Sequence, residues 1–340
     1  MKLGLQLGYW GAQPPTGVGE LVAAAETSGF DAVFAAEAWG SDAFTPLAWW
    51  GAATARVRLG TGVAQLSART PTACAMHALT LDHLSGGRAI LGLGVSGPQV
   101  VEGWYGQPFA KPLARTREYV SIVRQVLERA APVTNPGPAY PLPVPGSELG
   151  RPLKPITHPL RARLPIWLGA EGPRNVALTA EIADGWLAIY YSPRLAPMYN
   201  EWLDAGFARR DGDATGFEIA ATCQVVVTDD VAGEIAALKP VVALYVGGMG
   251  AAQLNFHAEV YRRMGYADAV DEIGALFQAG RKAEAAAAVP DEMVTETMII
   301  GNADQVRAGI DRWAAAGVTM LLVTCRSVAQ VEQLADLVGS

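Results

Sequence analysis

The stretch VRLGTGVAQLSARTPTACAMHALTLDHLSGGRAILGLGVSG, residues 57–97, decides the fold. It contains two short apolar runs, Val57–Val63 and Arg88–Leu93, each of which leads into a glycine-containing turn and predicts a buried strand. Between them, Pro71–Leu84 has the pattern and length of a helix. Two buried strands joined by a crossover helix predict a parallel βαβ unit.

Outward from this unit, the same alternation of strand and helix continues to both ends of the chain. Eight such strands predict an α/β fold that closes as a (β/α)8 TIM barrel with insertions. A doubly wound open sheet is the alternative, but it would concentrate its glycine turns at one point instead of spreading them along the chain. The other predicted strands are Lys2–Leu7, Asp31–Ala36, Leu164–Leu168, Gly185–Ile189, Phe217–Val227 and Thr319–Thr324. The other predicted helices are Gly17–Ser28, Phe44–Ala55, Leu113–Ala130, Pro173–Ile182, Pro193–Phe207, Asp304–Ala316 and Val328–Val338.

Two segments interrupt the alternation. The first, at about 131–163, holds nine prolines and little periodicity, and loops of that length are usually functional lids or linkers. The second, at about 231–296, is too long a helical stretch to be one crossover. We therefore interpret residues 1–340 as a single barrel domain with two insertions.

Composition excludes several classes of function. A net charge of −7 without a basic cluster argues against a nucleic-acid partner. No uninterrupted apolar stretch approaches ~18 residues, so no membrane span is expected. The three cysteines are far apart, which is typical of a reduced, cytoplasmic protein. The four histidines form no HxH pair, so a catalytic metal is not expected. The partner that we expect is therefore a small-molecule substrate.

The carboxyl ends of the strands are the places where barrel enzymes carry their chemistry. Here these ends are rich in glycine and aromatic residues. At 169–174, two glycines precede Pro173, a residue favoured at the first helical position, and Arg174 follows. Free backbone N–H groups at such a helix start bind phosphate, although a plain loop is equally consistent with the sequence.

Several stretches together resemble the luciferase-like monooxygenase family, in particular its actinobacterial F420-dependent oxidoreductases. They are GYWG (8–11), FDAVFAAEAWGSDAF (30–44), the opening stretch, LPIWLGAEGPRNVALTAEIADGWL (164–187) and IIGNADQVRAGIDRWAAAGVTMLLVT (299–324). The resemblance implies a luciferase-like barrel, often a homodimer, with a deazaflavin or flavin on the strand-end rim. It also implies a cis peptide at Gly62-Val63 and a cofactor site at Tyr9, Glu37, Gly62, Val63, Ala64, Gln65, Gly94, Val95, Ser96, Gly97, Gly169, Ala170, Glu171, Gly172, Pro173 and Arg174.

The sequence departs from the sugar-phosphate dehydrogenases of this family. Those enzymes carry Asp-His after the second strand and Glu after the fourth, where this chain has Glu37-Ala38-Trp39 and Gly97. Glu37 and Trp39 are therefore the predicted catalytic residues. A carboxylate on an apolar rim is able to transfer a proton, and the alternative for Glu37 is a structural hydrogen bond.

The predicted function is hydride transfer between C5 of coenzyme F420 and an unidentified small organic substrate bounded by Tyr9, Trp39, Trp104 and Tyr190. One alternative is an FMN-dependent monooxygenase that works with a separate reductase, and another is a non-catalytic F420-binding protein. F420 is favoured over FMN because its polyglutamate tail needs nearby cations. The candidates are Lys111, Arg115, Arg117 and Lys154.

Overall fold

The computed structural model describes residues 1–249 and 255–339. Within these ranges the chain forms eleven short strands, and the burial of nearly every residue in several of them explains their uninterrupted apolar sequences. The strands are β1 (Lys2–Gly8), β2 (Ala32–Ala35), β3 (Arg58–Thr61), β4 (Ala64–Gln65), β5 (Ala89–Gly94), β6 (Ile166–Gly169), β7 (Gly185–Ala188), β8 (Glu218–Thr222), β9 (Val225–Val227), β10 (Ile299–Gly301) and β11 (Met320–Val323).

The sheet closes on itself, which confirms the predicted barrel. Its strands follow the order β3-β2-β1-β11-β8-β7-β6-β5, and β5 pairs again with β3. All these pairings are parallel, with Leu59 of β3 opposite Ala89 of β5 at the closure. The carboxyl ends of the strands therefore meet at one rim.

Helices cover the outside of the barrel. The predicted helix Pro71–Leu84 and the predicted helix Pro173–Ile182 occur with those bounds. A short helix at Pro98–Gly103 was not predicted. The helices are α1 (Val18–Thr27), α2 (Phe44–Gly51), α3 (Pro71–Leu84), α4 (Pro98–Gly103), α5 (Pro112–Glu128), α6 (Pro173–Ile182), α7 (Ala196–Phe207), α8 (Val231–Gly247), α9 (Phe256–Arg263), α10 (Ala267–Gln278), α11 (Lys282–Ala287), α12 (Asp291–Thr297), α13 (Ala303–Ala315) and α14 (Val328–Gly339), with a 3₁₀ turn at Pro193–Leu195.

The barrel interior is filled by side chains, as in other barrels of this size. Phe34 and Trp167 stack with ring centroids 5.7 Å apart in a cluster that also contains Ile90 and Leu322. A larger apolar layer lies between the strands and the surrounding helices. Because side chains fill the barrel interior below the rim, we expect a ligand to bind at the rim.

The predicted strand Phe217–Val227 is wrong as one element. After β8 the chain changes hydrogen-bonding partner: the Cys223 N–H donates to Leu322 O in the barrel, while Gln224 O accepts from Ile299 N outside it. The continuation β9 consequently pairs in parallel with β10 in a separate two-stranded sheet. The sequence pattern is continuous across this change, so periodicity alone does not reveal it.

The two predicted insertions differ in structure. Residues 131–163 contain no helix or extended strand, only an isolated antiparallel bridge between Asn135 and Leu142. The segment runs back to the lower side of the barrel, where Arg161 pairs with Asp82. In the described part of the second segment, α8 to α12 pack around their own apolar cluster, which includes Val242, Tyr261 and Met293. The division into one domain with two insertions stays an interpretation.

Candidate functional site

A large cavity opens at the carboxyl ends of the barrel strands. Its volume is about 1070 Å³, the size expected for a cofactor together with a substrate. Of the residues predicted for the site, all line this cavity except Ala64. Ala64 is fully buried in the layer beneath the helices, because side chains alternate along an extended segment and Val63 and Gln65 take the cavity side.

The floor of the cavity is a bent backbone after β3. The peptide bond between Gly62 and Val63 is cis, as the family resemblance implies. The Gly62 N–H donates to Ala35 O at 2.7 Å, which joins this bend to the end of β2. Beside it, a Cβ on Gly94 would lie 2.4 Å from Val63 Cγ2, so a larger residue there would displace the bend. These residues form what we call the shelf: Gly62, Val63, Gly94.

Glu37 lies beside the shelf, but its carboxylate is fully engaged. Oε1 accepts from Gln65 N at 2.8 Å and from Arg69 Nη1 at 2.5 Å, and Oε2 accepts from Ala43 N and Arg69 Nη2. The side chain is 2% exposed. Glu37 is therefore not the unpaired rim carboxylate expected from sequence. Its predicted catalytic role stays a prediction.

Four buried polar atoms without a hydrogen-bond partner in the described chain all belong to side chains that line this cavity. They are Gln6 Oε1, Gln65 Oε1, Glu171 Oε2 and His257 Nδ1. Unsatisfied buried polar atoms are costly and rare, so their convergence on one space indicates a place for a polar ligand. The two glutamines flank the shelf, since Gln6 Nε2 donates to Gly62 O at 3.3 Å.

The loop at 169–174 leads into α6 as predicted. Gly172 caps this helix with extended backbone, and its carbonyl accepts from the N–H groups of Asn175 and Val176. Arg174 lies exposed at the cavity, and Arg263 Nη1 approaches Glu171 O at 3.4 Å. Positive charge and a helix N-terminus thus lie together at one side of the opening.

Aromatic side chains form the walls. Tyr9 and Trp39 lie with ring centroids 6.3 Å apart, and Trp104 is 63% exposed at the opening. Tyr105 donates to Ala38 O at 3.0 Å and so fixes the loop that carries Trp39; burial and the charge of Glu37 raise its pKa. The four side chains predicted to bound the substrate, Tyr9, Trp39, Trp104 and Tyr190, all line the cavity.

A second group of wall residues comes from the helical segment and was not predicted. His257 of α9 and Tyr245 of α8 lie edge to face at 5.0 Å, and Tyr190 packs against both. Burial raises the pKa of Tyr190 well above its usual value and also raises that of Tyr245, so both phenols stay neutral. Gln6 and Arg263 were also missed. The one signal available was Gln6, a polar residue within an otherwise apolar strand.

The cations predicted to bind a polyglutamate tail lie outside the lining of the cavity, and their role stays a prediction. Arg117 pairs with Glu181 on the outer helices, Arg115 donates to Tyr140, and Lys154 donates to Ala130 O. Neither these three nor Lys111 lines the cavity. Arg174 does line the cavity, and Arg263 lies beyond the lining, where its Nη1 approaches Glu171 O.

A family pattern described as luciferase-like monooxygenase matches residues 4–320. The chain belongs to the luciferase-like monooxygenase family. A protein of Mycobacterium tuberculosis named as a coenzyme F420-dependent oxidoreductase is 68% identical over 343 residues, covering 99% of each chain. The 5,10-methylenetetrahydromethanopterin reductase of Archaeoglobus fulgidus is 31% identical and covers 88% of this chain and 87% of that protein.

The fold of this luciferase-like protein also matches a solved relative. The coenzyme F420-dependent tetrahydromethanopterin reductase from Methanopyrus kandleri superposes with a TM-score of 0.78 at 25% identity, covering 98% of this chain and 97% of that one. In the described ranges, no helix is long and apolar enough to cross a membrane. Residues 1–249 and 255–339 also contain no group of three or more side chains suited to hold a metal ion.

Proposed function

We propose that this protein is a coenzyme F420-dependent oxidoreductase that acts on a small organic substrate. The observation that supports this proposal best is that unsatisfied buried polar atoms of the described chain line one cavity, with those of Gln6 and Gln65 beside the shelf. A deazaflavin ring has an amide-like edge with an N–H donor between two carbonyl acceptors. Gln6 Oε1 and Gln65 Oε1 are acceptors, either of which such a donor would satisfy, so the residues present fit the ring.

The space above the shelf also fits a planar ring. A Cβ added to Gly97 would meet no atom within 4 Å, which leaves room beside the shelf. The loop at 169–174 and Arg174 would hold the cofactor phosphate, and Arg263 extends the positive charge toward its acidic tail. When bound, coenzyme F420 supplies or accepts a hydride at C5 of its ring.

The chain's own residues would bind and orient the cofactor and would exclude water from it. Gln65 is held in place by Glu37, because its backbone N–H donates to the carboxylate and its side chain donates to Glu37 O at 2.9 Å. Trp39 and Tyr9 form a cavity wall that would lie next to a bound ring. The names of the M. tuberculosis and A. fulgidus relatives support the same assignment.

The test is a fluorescence titration of the purified protein with F420 and, separately, with FMN. We expect micromolar binding of F420 and much weaker binding of FMN. Tight FMN binding without F420 binding would instead favour the alternative, an FMN-dependent monooxygenase. F420 binding without electron transfer to or from any enone, aldehyde, ketone or alcohol would favour a non-catalytic binding protein.

We further propose a cytoplasmic location and a homodimeric assembly. The three cysteines that the structure describes are all buried and unpaired, which supports a reducing compartment. The assembly follows from the family resemblance. Light scattering of the purified protein measures it directly, and a mass near the 35.8 kDa of one chain would contradict the dimer.

A further inference from the structure

A histidine and a glutamate face each other at the cavity wall opposite the glutamine side of the shelf. His257 Nδ1 lies 3.0 Å from Glu171 Oε1, although the two groups are not aligned as a hydrogen bond. Both side chains are less than one-fifth exposed, and both line the cavity. The pair joins two distant parts of the chain, since Glu171 follows β6 and His257 belongs to α9.

The position of His257 is fixed by the surrounding structure. Asn255 caps α9 by accepting from Ala258 N, and its amide donates to two carbonyls at the end of α8, those of Tyr245 and Val246. Tyr190 and Tyr245 then pack edge to face against the imidazole. A ring held on several sides is suited to a reaction that needs a fixed direction.

We propose that His257 is a catalytic residue that exchanges a proton with the substrate, and that Glu171 is its positioning residue. This rests on the proposed function. The carboxylate of Glu171 lies 3.0 Å from Nδ1 and occupies that side of the ring, so Nε2 is the nitrogen that is left for the substrate. In the described chain Nε2 has no hydrogen-bond partner. The pair supplies an acid–base group at a rim whose other carboxylate, Glu37, is occupied by Arg69.

The surroundings of His257 define the class of substrate. The neighbouring lining residues, Val241, Tyr245, Met249 and Phe256, are apolar or neutral. An uncharged ketone, aldehyde or enone with apolar flanks fits this environment, whereas a phosphorylated sugar does not. The corresponding alcohol fits in the reverse direction.

The proposed step balances for a carbonyl substrate. The carbonyl carbon gains a hydride, with its two electrons, from the reduced deazaflavin of the proposed function. The C=O π electron pair moves to oxygen and forms an O–H bond with the proton on Nε2 of the imidazolium. The neutral imidazole then regains a proton from solvent. Oxidation of the alcohol reverses each transfer.

The first experiment uses His257→Ala in the full chain loaded with F420, with cyclohexanone and 2-cyclohexen-1-one as probes. We expect kcat to fall about 100-fold or more, as for loss of a general acid, while F420 affinity changes less than about twofold. Added imidazole should restore part of kcat. The matched control is His83→Ala at the opposite end of the barrel, where His83 Nε2 lies 2.8 Å from His158 O, and it should leave both quantities unchanged.

The second experiment needs no turnover. In the F420-loaded protein with ¹³C-labelled histidine, saturating cyclohexanone should shift the His257 ring resonance and leave that of His83 in place. Glu171→Gln should shift the same His257 resonance before any probe is added. An unmoved His257 resonance, an unchanged kcat in His257→Ala, or a loss that imidazole does not restore overturns the inference. Failure of wild-type protein to bind F420 would overturn the proposed function itself.

Discussion

Arg69 and Glu37 form a doubly bonded ion pair beneath the rim. Arg69 Nη1 lies 2.5 Å from Oε1 and Nη2 lies 2.9 Å from Oε2 of Glu37, with side chains 15% and 2% exposed. Burial alone would lower the pKa of Arg69, but the bonds and charge of Glu37 outweigh burial and raise it. Since Glu37 also accepts from Gln65 N, the pair ties the loops after β2 and β4 together.

Replacing Glu37 with Gln should destabilise the protein, because Arg69 would keep its charge in a buried place without a counter-ion. We expect the free energy of unfolding in urea to fall by about 3 kcal/mol and F420 affinity to weaken as Gln65 loses its anchor. Glu284→Gln, in an exposed pair with Arg281, is the control and should show no measurable change. Unchanged stability with a large loss of kcat would instead support the proton-transfer role predicted from sequence.

Filling the space beside the shelf should separate binding from folding. Gly97→Leu places its Cβ where no atom lies within 4 Å and extends its side chain toward the cavity that Gly97 lines, so the melting temperature should stay close to that of the wild type. Fluorescence titration should show F420 binding reduced more than tenfold, because the new side chain occupies the proposed ring site. Gly274→Leu on α10, also in open space but away from the cavity, should bind F420 normally. Normal F420 binding by Gly97→Leu would show that the ring does not bind beside the shelf.

Arg174 at the cavity and Arg263 beside the Glu171 carbonyl should discriminate between cofactors. Arg174→Ala combined with Arg263→Ala should weaken long-tailed F420 about tenfold or more and FMN less, since only F420 carries the acidic tail. The difference should shrink at high salt, because exposed charges are screened. Arg117→Ala, whose partner Glu181 lies on the outer helices, is the control. Equal effects on the two cofactors would argue against a tail site here.

The lower side of the barrel should show a defined pH dependence through Asp184. Burial acts to raise its pKa, but the charge of Arg124, 2.5 Å away, and the bond from Ile166 N hold the pKa below its usual value. A lowered pKa in the folded state stabilises the protein above the unfolded pKa of about 4, and this contribution is lost as pH falls through the folded pKa.

Asp184→Asn should therefore lower the free energy of unfolding at pH 7 by about 1–2 kcal/mol, and the difference from wild type should shrink at pH 3. Urea unfolding at both pH values measures this. The exposed Asp304→Asn is the matched control and should differ little at either pH. A difference of the same size at pH 3 would mean that the carboxylate charge is not responsible.

Periodicity was sufficient to predict the barrel, because buried parallel strands and their covering helices each leave a local pattern. Periodicity did not predict features that depend on contacts between distant parts of the chain. The division between β8 and β9 depends on hydrogen bonds to two different neighbours. Cys223 N–H donates to Leu322 O in the barrel, whereas Gln224 O accepts from Ile299 N outside it. Local apolar character is the same on both sides of that change.

The site was predictable in part for the same reason. Glycines and aromatic residues at strand ends mark the rim, and the family resemblance implied Val63 and Gln65, both of which line the cavity. The bonds between Glu37 and Arg69, 32 residues apart, leave no local signal. His257 lies in a segment that reads only as helix, and its approach to Glu171 exists only after α9 has packed.

The cavity is built from two independently packed parts of the chain. Strand ends supply the shelf, while α8 and α9, which belong to a cluster with its own apolar centre, supply His257 and Tyr245. Replacement of that helical segment would change the cavity wall at His257 and Tyr245 without altering the residues of the shelf. Redesign toward a new substrate therefore begins with α8 and α9, leaving the barrel sequence untouched.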